Sequence, residues 1–235
     1  LDAKASINGA DKDGFTAVIA AARHGNAESV QLLLDAKANI RVANRDGDTA
    51  SIVAAGQGHP TCLQLLLDAK AEVNTENKSG YTAVIAAAAE GHTECLQILM
   101  NAKANVNTVK SDRQTALILA AHHGHTRCLE LLLEAKADVN AMSEEGYNAS
   151  MLAAGGGHIR CLQLLLEAKA DIRAANKLGS TALYLAAGEG RPECLQLLLD
   201  AKADIRAAKK DGNTALIVAA MQGKDACLPL LLDAK

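Results

Sequence analysis

The sequence is poor in aromatic residues and in proline. Aromatics make up 2% of its 235 residues, tryptophan is absent, and three prolines occur in the whole chain. These shortages exclude a core filled with rings and disfavour strands, which prefer aromatic and β-branched residues. Alanine and leucine, both strong helix formers, dominate the 49% of residues that are hydrophobic. The composition therefore predicts an all-helical protein.

The chain also lacks a strong charge of either sign and a long hydrophobic run. Its formal net charge is -3, whereas nucleic acids and anionic membrane surfaces attract clustered lysine and arginine. No apolar run reaches the roughly 18 to 20 residues that a membrane-spanning helix needs. We therefore expect no nucleic-acid binding and no direct membrane insertion.

What the sequence does contain is a repeat of 33 residues. The tripeptide Ala-Lys-Ala begins at Ala3, Ala36, Ala69, Ala102, Ala135, Ala168 and Ala201. The same register appears in a polar residue followed by alanine, at Thr16, Thr49, Thr82, Thr115, Asn148, Thr181 and Thr214. The copies span approximately 11-43, 44-76, 77-109, 110-142, 143-175, 176-208 and 209-235, and 1-10 ends a preceding repeat. We expect one domain over residues 1-235, built from a single repeated unit.

Residues 11-43 show what one unit should be. Gly14 completes a polar turn, and the hydroxyl of Thr16 is placed to cap a short alanine-rich helix. Gly25 ends that helix, and a second helix runs through residues 28-34, where leucines predominate. One unit cannot bury its leucine face alone, so neighbouring units are expected to stack.

This pattern resembles the ankyrin repeat over nearly the whole chain. The resemblance rests on the period, the Gly-x-Thr turn, the paired alanines, the Leu-Leu-Leu helix and a Gly-His loop such as Gly58-His59. It implies an all-α ankyrin-repeat solenoid of stacked helix-turn-helix units, with β-hairpin fingers and a concave groove that binds protein partners.

Three departures from the family pattern predict local differences. The family glycine after the second helix is replaced by Lys4, Lys37, Lys70, Lys103, Lys136, Lys169 and Lys202. A left-handed lysine would cost about 1 kcal/mol, so we expect a modified helix end. Arg113 replaces the finger glycine of the fourth copy, which makes that finger either distorted or specialised. Pro229, inside the last second helix, predicts distortion near the end of the array.

Cysteine tests most directly whether the repeats carry reactive chemistry. One repeat position carries Cys62, Cys95, Cys128, Cys161, Cys194 and Cys227. Stacked helices lie roughly 8 to 10 Å apart, farther than the roughly 7 Å between Cα atoms that a disulfide tolerates. We therefore predict free, buried thiols rather than a metal or redox ladder. Unpaired thiols favour an intracellular reducing compartment, with the cytoplasm expected first and an organelle interior as the alternative.

No pattern in the chain indicates catalysis or a cofactor. His122, His123 and His125 lack the spacing of a zinc site, and residues 155-157 lack that of a phosphate-binding loop. No nucleophile stands beside a base. We expect no enzyme activity, catalytic residue, metal, cofactor or small-molecule substrate.

Residues that differ most between copies lie at the finger tips and at the end of the first helix, which would line the groove. We predict contact with a protein partner at Phe15, Arg23, His24, Arg45, Asp48, Gln57, Lys78, Tyr81, Glu90, Arg113, Gln114, His122, His123, Glu144, Glu145, Tyr147, Lys177, Leu178, Glu189, Lys210 and Met221. Phe15, Tyr81 and Tyr147 share one finger position in alternate copies. They are either anchors for a partner or covers for the adjacent finger.

Two functions from different classes fit these observations. The first is a non-catalytic scaffold or adaptor that holds a protein partner in the groove. The second is a constitutive structural subunit, or the ankyrin portion of a larger complex, enzyme or channel. The sequence opens at Leu1 inside a recurring motif, and neither end carries the polar capping repeat that an isolated solenoid needs. We therefore expect a longer protein, with flanking sequence or a covering partner.

Overall fold

The computed structural model describes residues 6-234, and it consists of stacked helix pairs. Within these residues the first helices are α1 Ala17–Arg23, α3 Ala50–Gly56, α5 Ala83–Glu90, α7 Ala116–His123, α9 Ala149–Gly156, α11 Ala182–Gly188 and α13 Ala215–Met221. The second helices are α2 Ala27–Asp35, α4 Pro60–Asp68, α6 Thr93–Asn101, α8 Thr126–Glu134, α10 Ile159–Glu167, α12 Pro192–Asp200 and α14 Leu228–Asp233. The predicted all-α fold of repeated helix pairs is confirmed.

Two compact units divide between Ser111 and Asp112. In the first unit α1 packs on α3 and α3 on α5, and in the second α7, α9, α11 and α13 pack in sequence. No helix in residues 6-234 is both long and apolar enough to cross a bilayer.

Alanine lets the first helices approach closely, while leucine fills the space behind them. In α5 the side chains of Ala83 and Ala87 are fully or almost fully buried. Behind them Leu96 and Leu99 of α6 have no exposed surface, and Leu66 of α4 is equally buried. Close packing of small against large side chains gives each unit a continuous core without aromatic rings.

The fingers are tight turns rather than extended hairpins. In the described chain, isolated antiparallel bridges pair Ala10 with Thr16, Ala43 with Thr49 and Ala208 with Thr214. Each finger is bonded to the next through its backbone. In the first unit the Arg45 N–H donates to the Asp13 carbonyl at 2.9 Å, and in the second the Lys177 N–H donates to Glu145 at 3.0 Å. This ladder holds the finger tips in a row.

Histidine links neighbouring helix pairs. The Nε2 atom of His59 lies 3.1 Å from the carbonyl of Arg23 at the end of α1, and that of His158 lies 2.9 Å from the carbonyl of His122. Glycine is required below the ring, because a Cβ at Gly25 would lie 2.6 Å from the Nδ1 atom of His59. The Gly-His loop is therefore a packing element between copies.

The predicted helix caps form in six copies, and the prediction is wrong for Thr16. Thr82 accepts a hydrogen bond from the Ile85 N–H at 3.3 Å, and equivalent caps occur at Thr49, Thr115, Asn148, Thr181 and Thr214. The Thr16 hydroxyl makes no cap bond, although it is buried.

The expected change at the end of the second helix is also wrong. The backbone stays left-handed, with φ between 59° and 66° at Lys37, Lys70, Lys103, Lys136, Lys169 and Lys202. Lys4 lies outside the described residues. Two hydrogen bonds hold the first of these ends, from the Lys37 N–H to the Leu34 carbonyl and from the Ala38 N–H to the Leu33 carbonyl, both 2.9 Å. This pair of bonds is the Schellman motif. The last carbonyls of the helix need these N–H donors whatever side chain the left-handed residue carries.

Arg113 and Pro229 have different effects on their surroundings. Arg113 takes φ of 63°, in the same left-handed region as Gly14 at 85°, so the fourth finger is not distorted at this residue. Pro229 does alter its helix: α14 begins at Leu228 and has six residues, whereas α12 has nine. Proline lacks the N–H that an extra turn before it would use, so the first turn is lost.

Candidate protein-binding surface

The fingers and first helices of each unit form one face, which we call the groove face. Each first helix buries its middle, and most of the first helices expose their last residue, as at Arg23 of α1 and Glu90 of α5. The turn before the helix exposes the finger tip beside that end. Residues that the core does not constrain therefore lie on the groove face.

The first unit has a hollow of about 310 Å³ on this face, which we call the first hollow. Its lining includes six predicted contact residues, namely Phe15, Arg23, Asp48, Gln57, Tyr81 and Glu90. Asp46 also lines it but was not among the predicted contact residues. Variation between copies does not separate finger-tip residues that face the hollow from those that do not.

Both rings of the first hollow carry a cation from the chain itself. The guanidinium of Arg23 lies 5.2 Å from the centre of the Phe15 ring, and the ammonium of Lys110 lies 5.0 Å from that of Tyr81. These are cation–π contacts. These two rings therefore hold neighbouring side chains of the chain itself.

Asp48 of the first hollow is engaged within the fold. Its carboxylate accepts hydrogen bonds from the Asn77 amide at 2.7 Å and from the Asn44 amide at 3.4 Å. The Asn77 oxygen in turn accepts from the backbone N–H groups of Ser79 and Tyr81, each at 2.9 Å. Asp48 thus ties one finger to the next, a structural role that variability between copies does not reveal.

The second unit has a hollow of about 750 Å³ on its groove face, which we call the second hollow. Six further predicted contact residues line it: Gln114, His122, His123, Glu144, Glu145 and Tyr147. Leu119, Leu152 and Asp112 complete most of the wall. The two leucines were not predicted as contact residues, because leucine at these positions also serves the core.

The second hollow is acidic and has a partly apolar wall. Three carboxylates line it, and neither lysine nor arginine does. Lys177 lies just outside, with its ammonium 3.4 Å from Glu145. The rings of His122 and His123 meet edge to face at 4.7 Å. The Tyr147 backbone is fixed by the Ser143 hydroxyl, which accepts its N–H at 3.0 Å.

The remaining predicted contact residues line neither hollow. All of them are exposed: His24, Arg45, Lys78, Arg113, Lys177, Leu178, Glu189, Lys210 and Met221. Met221 is 71% exposed and Leu178 is 58% exposed, which leaves both open to contact. Tyr184, the fourth aromatic residue, lies on α11 beneath Lys209, whose ammonium is 5.4 Å from the ring centre.

The cysteines have the character of core residues. All six are buried thiols, none more than 1% exposed. Burial raises the pKa of Cys62, Cys161 and Cys227, and it raises the pKa of Cys194 to about 11. A buried, protonated thiol is a poor nucleophile. Within residues 6-234, no three side chains of histidine, cysteine, aspartate or glutamate are grouped as metal ligands.

Comparisons with known proteins agree on the family. The family profile described as "Ankyrin repeats (3 copies)" matches residues 1–77, 53–143 and 150–235. No curated protein sequence matches the chain. Among solved structures, the chain is similar to the human ASB11 ankyrin repeat domain, with 24% identity and a TM-score of 0.87. That alignment covers 94% of this chain and 98% of the human domain, and at this identity it shows the fold alone.

Proposed function

Because the chain belongs to the ankyrin-repeat family, whose repeats are generally protein-interaction modules, we propose that it is a non-catalytic scaffold or adaptor. It binds a protein partner through the groove face. The partner contacts finger tips and the ends of first helices, while the second helices form the back of each unit. No cofactor, nucleic acid or small-molecule substrate takes part.

The distribution of repeated and variable residues carries this proposal. Several positions that repeat in every copy, such as Ala87 and Leu99, are buried. Predicted contact residues that differ between copies line the two hollows or are exposed. Since the fold is the same in every copy, exposed side chains that differ between copies are what selective recognition of a partner requires.

Affinity capture of the full-length protein from its own cells tests the proposal. Two groove variants are compared with the wild type, Tyr81→Ala with Glu90→Ala in the first unit and Tyr147→Ala with Glu144→Ala in the second. We expect at least one of them to lose a partner that the wild type captures. Truncation of a hot-spot side chain near the centre of an interface weakens binding by about 2 kcal/mol or more, which is a roughly thirtyfold change.

The matched control places Gln64→Ala and Gln97→Ala on the backs of α4 and α6, where both side chains are exposed. The control should keep every partner. If both groove variants keep all partners while the control loses one, the binding face is the back and the proposal is wrong. A partner held at fixed stoichiometry in a large, salt-resistant particle would favour the constitutive subunit.

We also propose a reducing compartment, with the cytoplasm first. Support comes from the six buried thiols, since disulfides are expected where the surroundings are oxidising. Fractionation of the cells that make the protein tests this directly, and recovery from a secreted fraction would contradict it.

A further inference from the structure

We propose that the second hollow is a pocket for an arginine side chain of the partner, presented between apolar residues. This inference rests on the proposed function and specifies the partner's chemistry. It follows from three features of the hollow, namely the charge of its lining, an aromatic ring that no lysine or arginine of the described chain covers, and an apolar wall.

The charge of the lining favours a cation. Asp112, Glu144 and Glu145 line the second hollow together with neither lysine nor arginine, and Lys177 lies outside the lining with its ammonium 3.4 Å from Glu145. The first hollow is also lined by three carboxylates, those of Asp46, Asp48 and Glu90, but its lining includes the cation of Arg23. The lining of the second hollow is therefore the more negative of the two. A positive partner group would be attracted to it and would neutralise it.

Tyr147 differs from the two rings at the same repeat position. Arg23, which is eight residues after Phe15 in the sequence, lies over the Phe15 ring. Lys110, which is 29 residues after Tyr81, lies over the Tyr81 ring. For Tyr147 the corresponding positions are Gly155 and Asn176. In the described chain no lysine or arginine lies over the Tyr147 ring.

The chain thus provides a cation for two of the three rings and leaves the third, beside carboxylates, without one. A ring face next to negative charge is the arrangement that attracts a guanidinium or an ammonium. Arginine fits best, because its planar group stacks on a ring while its N–H groups donate to a carboxylate in the same plane.

The wall and size of the hollow define what surrounds the arginine. Leu119 and Leu152 supply apolar surface beside Tyr147, and the volume of about 750 Å³ is that of a ligand pocket. An arginine alone would leave these leucines exposed. A segment with an apolar residue on either side of the arginine covers both the acidic and the apolar parts.

The test uses the full chain and two short peptides. One is acetyl-Gly-Leu-Arg-Leu-Gly-amide, and the other carries citrulline, the neutral analogue of arginine, in place of the arginine. Methyl NMR of Leu119 and Leu152 follows the titration to about 10 mM, a range suited to weak fragments. We expect the arginine peptide to shift both leucines and the citrulline peptide to bind at least tenfold more weakly.

Variants locate the site. Tyr147→Leu and Glu144→Gln should each weaken the arginine peptide by about three- to tenfold. Tyr147→Phe keeps the ring and should bind within about twofold of the wild type. Tyr81→Leu, at the equivalent position of the first unit, should leave binding unchanged. If Tyr147→Leu fails to fold, Glu144→Gln, whose side chain is exposed, provides the test.

Equal binding of the two peptides would overturn the proposal, as would unshifted leucines at 10 mM or full binding by the Glu144→Gln variant. These outcomes are separable from failure of the proposed function. A captured partner that binds the wild type and Glu144→Gln equally would refute the arginine pocket and leave the scaffold standing. Arginine-specific binding by a chain that captures no protein would support the arginine pocket and refute the scaffold.

Discussion

Replacing the left-handed lysines with glycine should stabilise the protein. The Lys37 backbone has φ of 64°, and its N–H is held by the Leu34 carbonyl at 2.9 Å. A side chain in this region costs about 1 to 2 kcal/mol. Glycine gives back about 0.5 to 1 kcal/mol of this through its greater freedom in the unfolded chain. The middles of these two ranges differ by about 0.7 kcal/mol, and this difference is the net gain expected for Lys37→Gly.

The effect should accumulate within the first unit, where Lys70 and Lys103 take the same conformation. The triple glycine variant is expected to gain about 1.5 to 3 kcal/mol if distant sites add. Urea unfolding followed by circular dichroism measures this as a higher midpoint with an unchanged slope. Lys12→Gly is the control, because Lys12 is exposed and its φ is not positive. If the control and Lys37→Gly change stability equally, the lysine conformation carries no strain and the reasoning is refuted.

Three further predictions concern single side chains. Thr82→Ala should lower the free energy of unfolding in urea by about 1 kcal/mol and Thr16→Ala by clearly less, because Thr82 makes a cap bond and Thr16 does not. Equal losses of stability would contradict this. Asp48→Ala should cost about 1 to 3 kcal/mol because it leaves the part-buried side-chain amide of Asn77 without its hydrogen-bond acceptor, and an unchanged midpoint would show that this hydrogen bond does not contribute to stability. The pKa of Cys194 is raised from 9.0 to about 11, so the folded chain keeps a proton that the unfolded chain loses. The contribution of this proton to the free energy of unfolding is complete below pH 9, and it falls by about 2 to 3 kcal/mol as the pH approaches 11. Cys194→Ala should flatten this pH dependence of stability, and an unaltered pH dependence would refute the assignment to Cys194.

The fold follows from the sequence because its signals are redundant. Each copy repeats the same turn, alanine-rich helix and leucine-rich helix, so a helix such as α5 is specified by its own residues and by its equivalents. Pro192 marks the first residue of α12, as its fixed φ and missing N–H favour. Local and repeated patterns agree almost everywhere, which is why the helix pairs could be predicted.

Errors arose where a prediction rested on the preference of a single side chain. Lys37 was expected to change the helix end, yet the Schellman bonds keep the backbone left-handed and the chain tolerates the strain. Thr16 was expected to cap α1, but its hydroxyl is buried without a partner. In both cases the geometry imposed by neighbouring elements outweighs the preference of a single side chain.

The groove face was predictable as a region, but its chemistry was not. Variation between copies pointed to Phe15, Tyr81 and Tyr147 alike. The structure separates them, because Arg23 and Lys110 cover the first two rings. Those contacts join residues eight and 29 positions apart, and no pattern in one sequence shows which pairs will meet.

The most direct test of the central claim is photocrosslinking from defined positions of the full-length protein in its own cells. A benzophenone amino acid is placed at Tyr81 or Tyr147 on the groove face, or at Gln64 or Gln97 on the second helices. If the groove face binds the partner, one partner protein should crosslink from a groove position and from neither second-helix position. A partner that crosslinks from Gln64 or Gln97 alone would show that the groove face is not the binding surface.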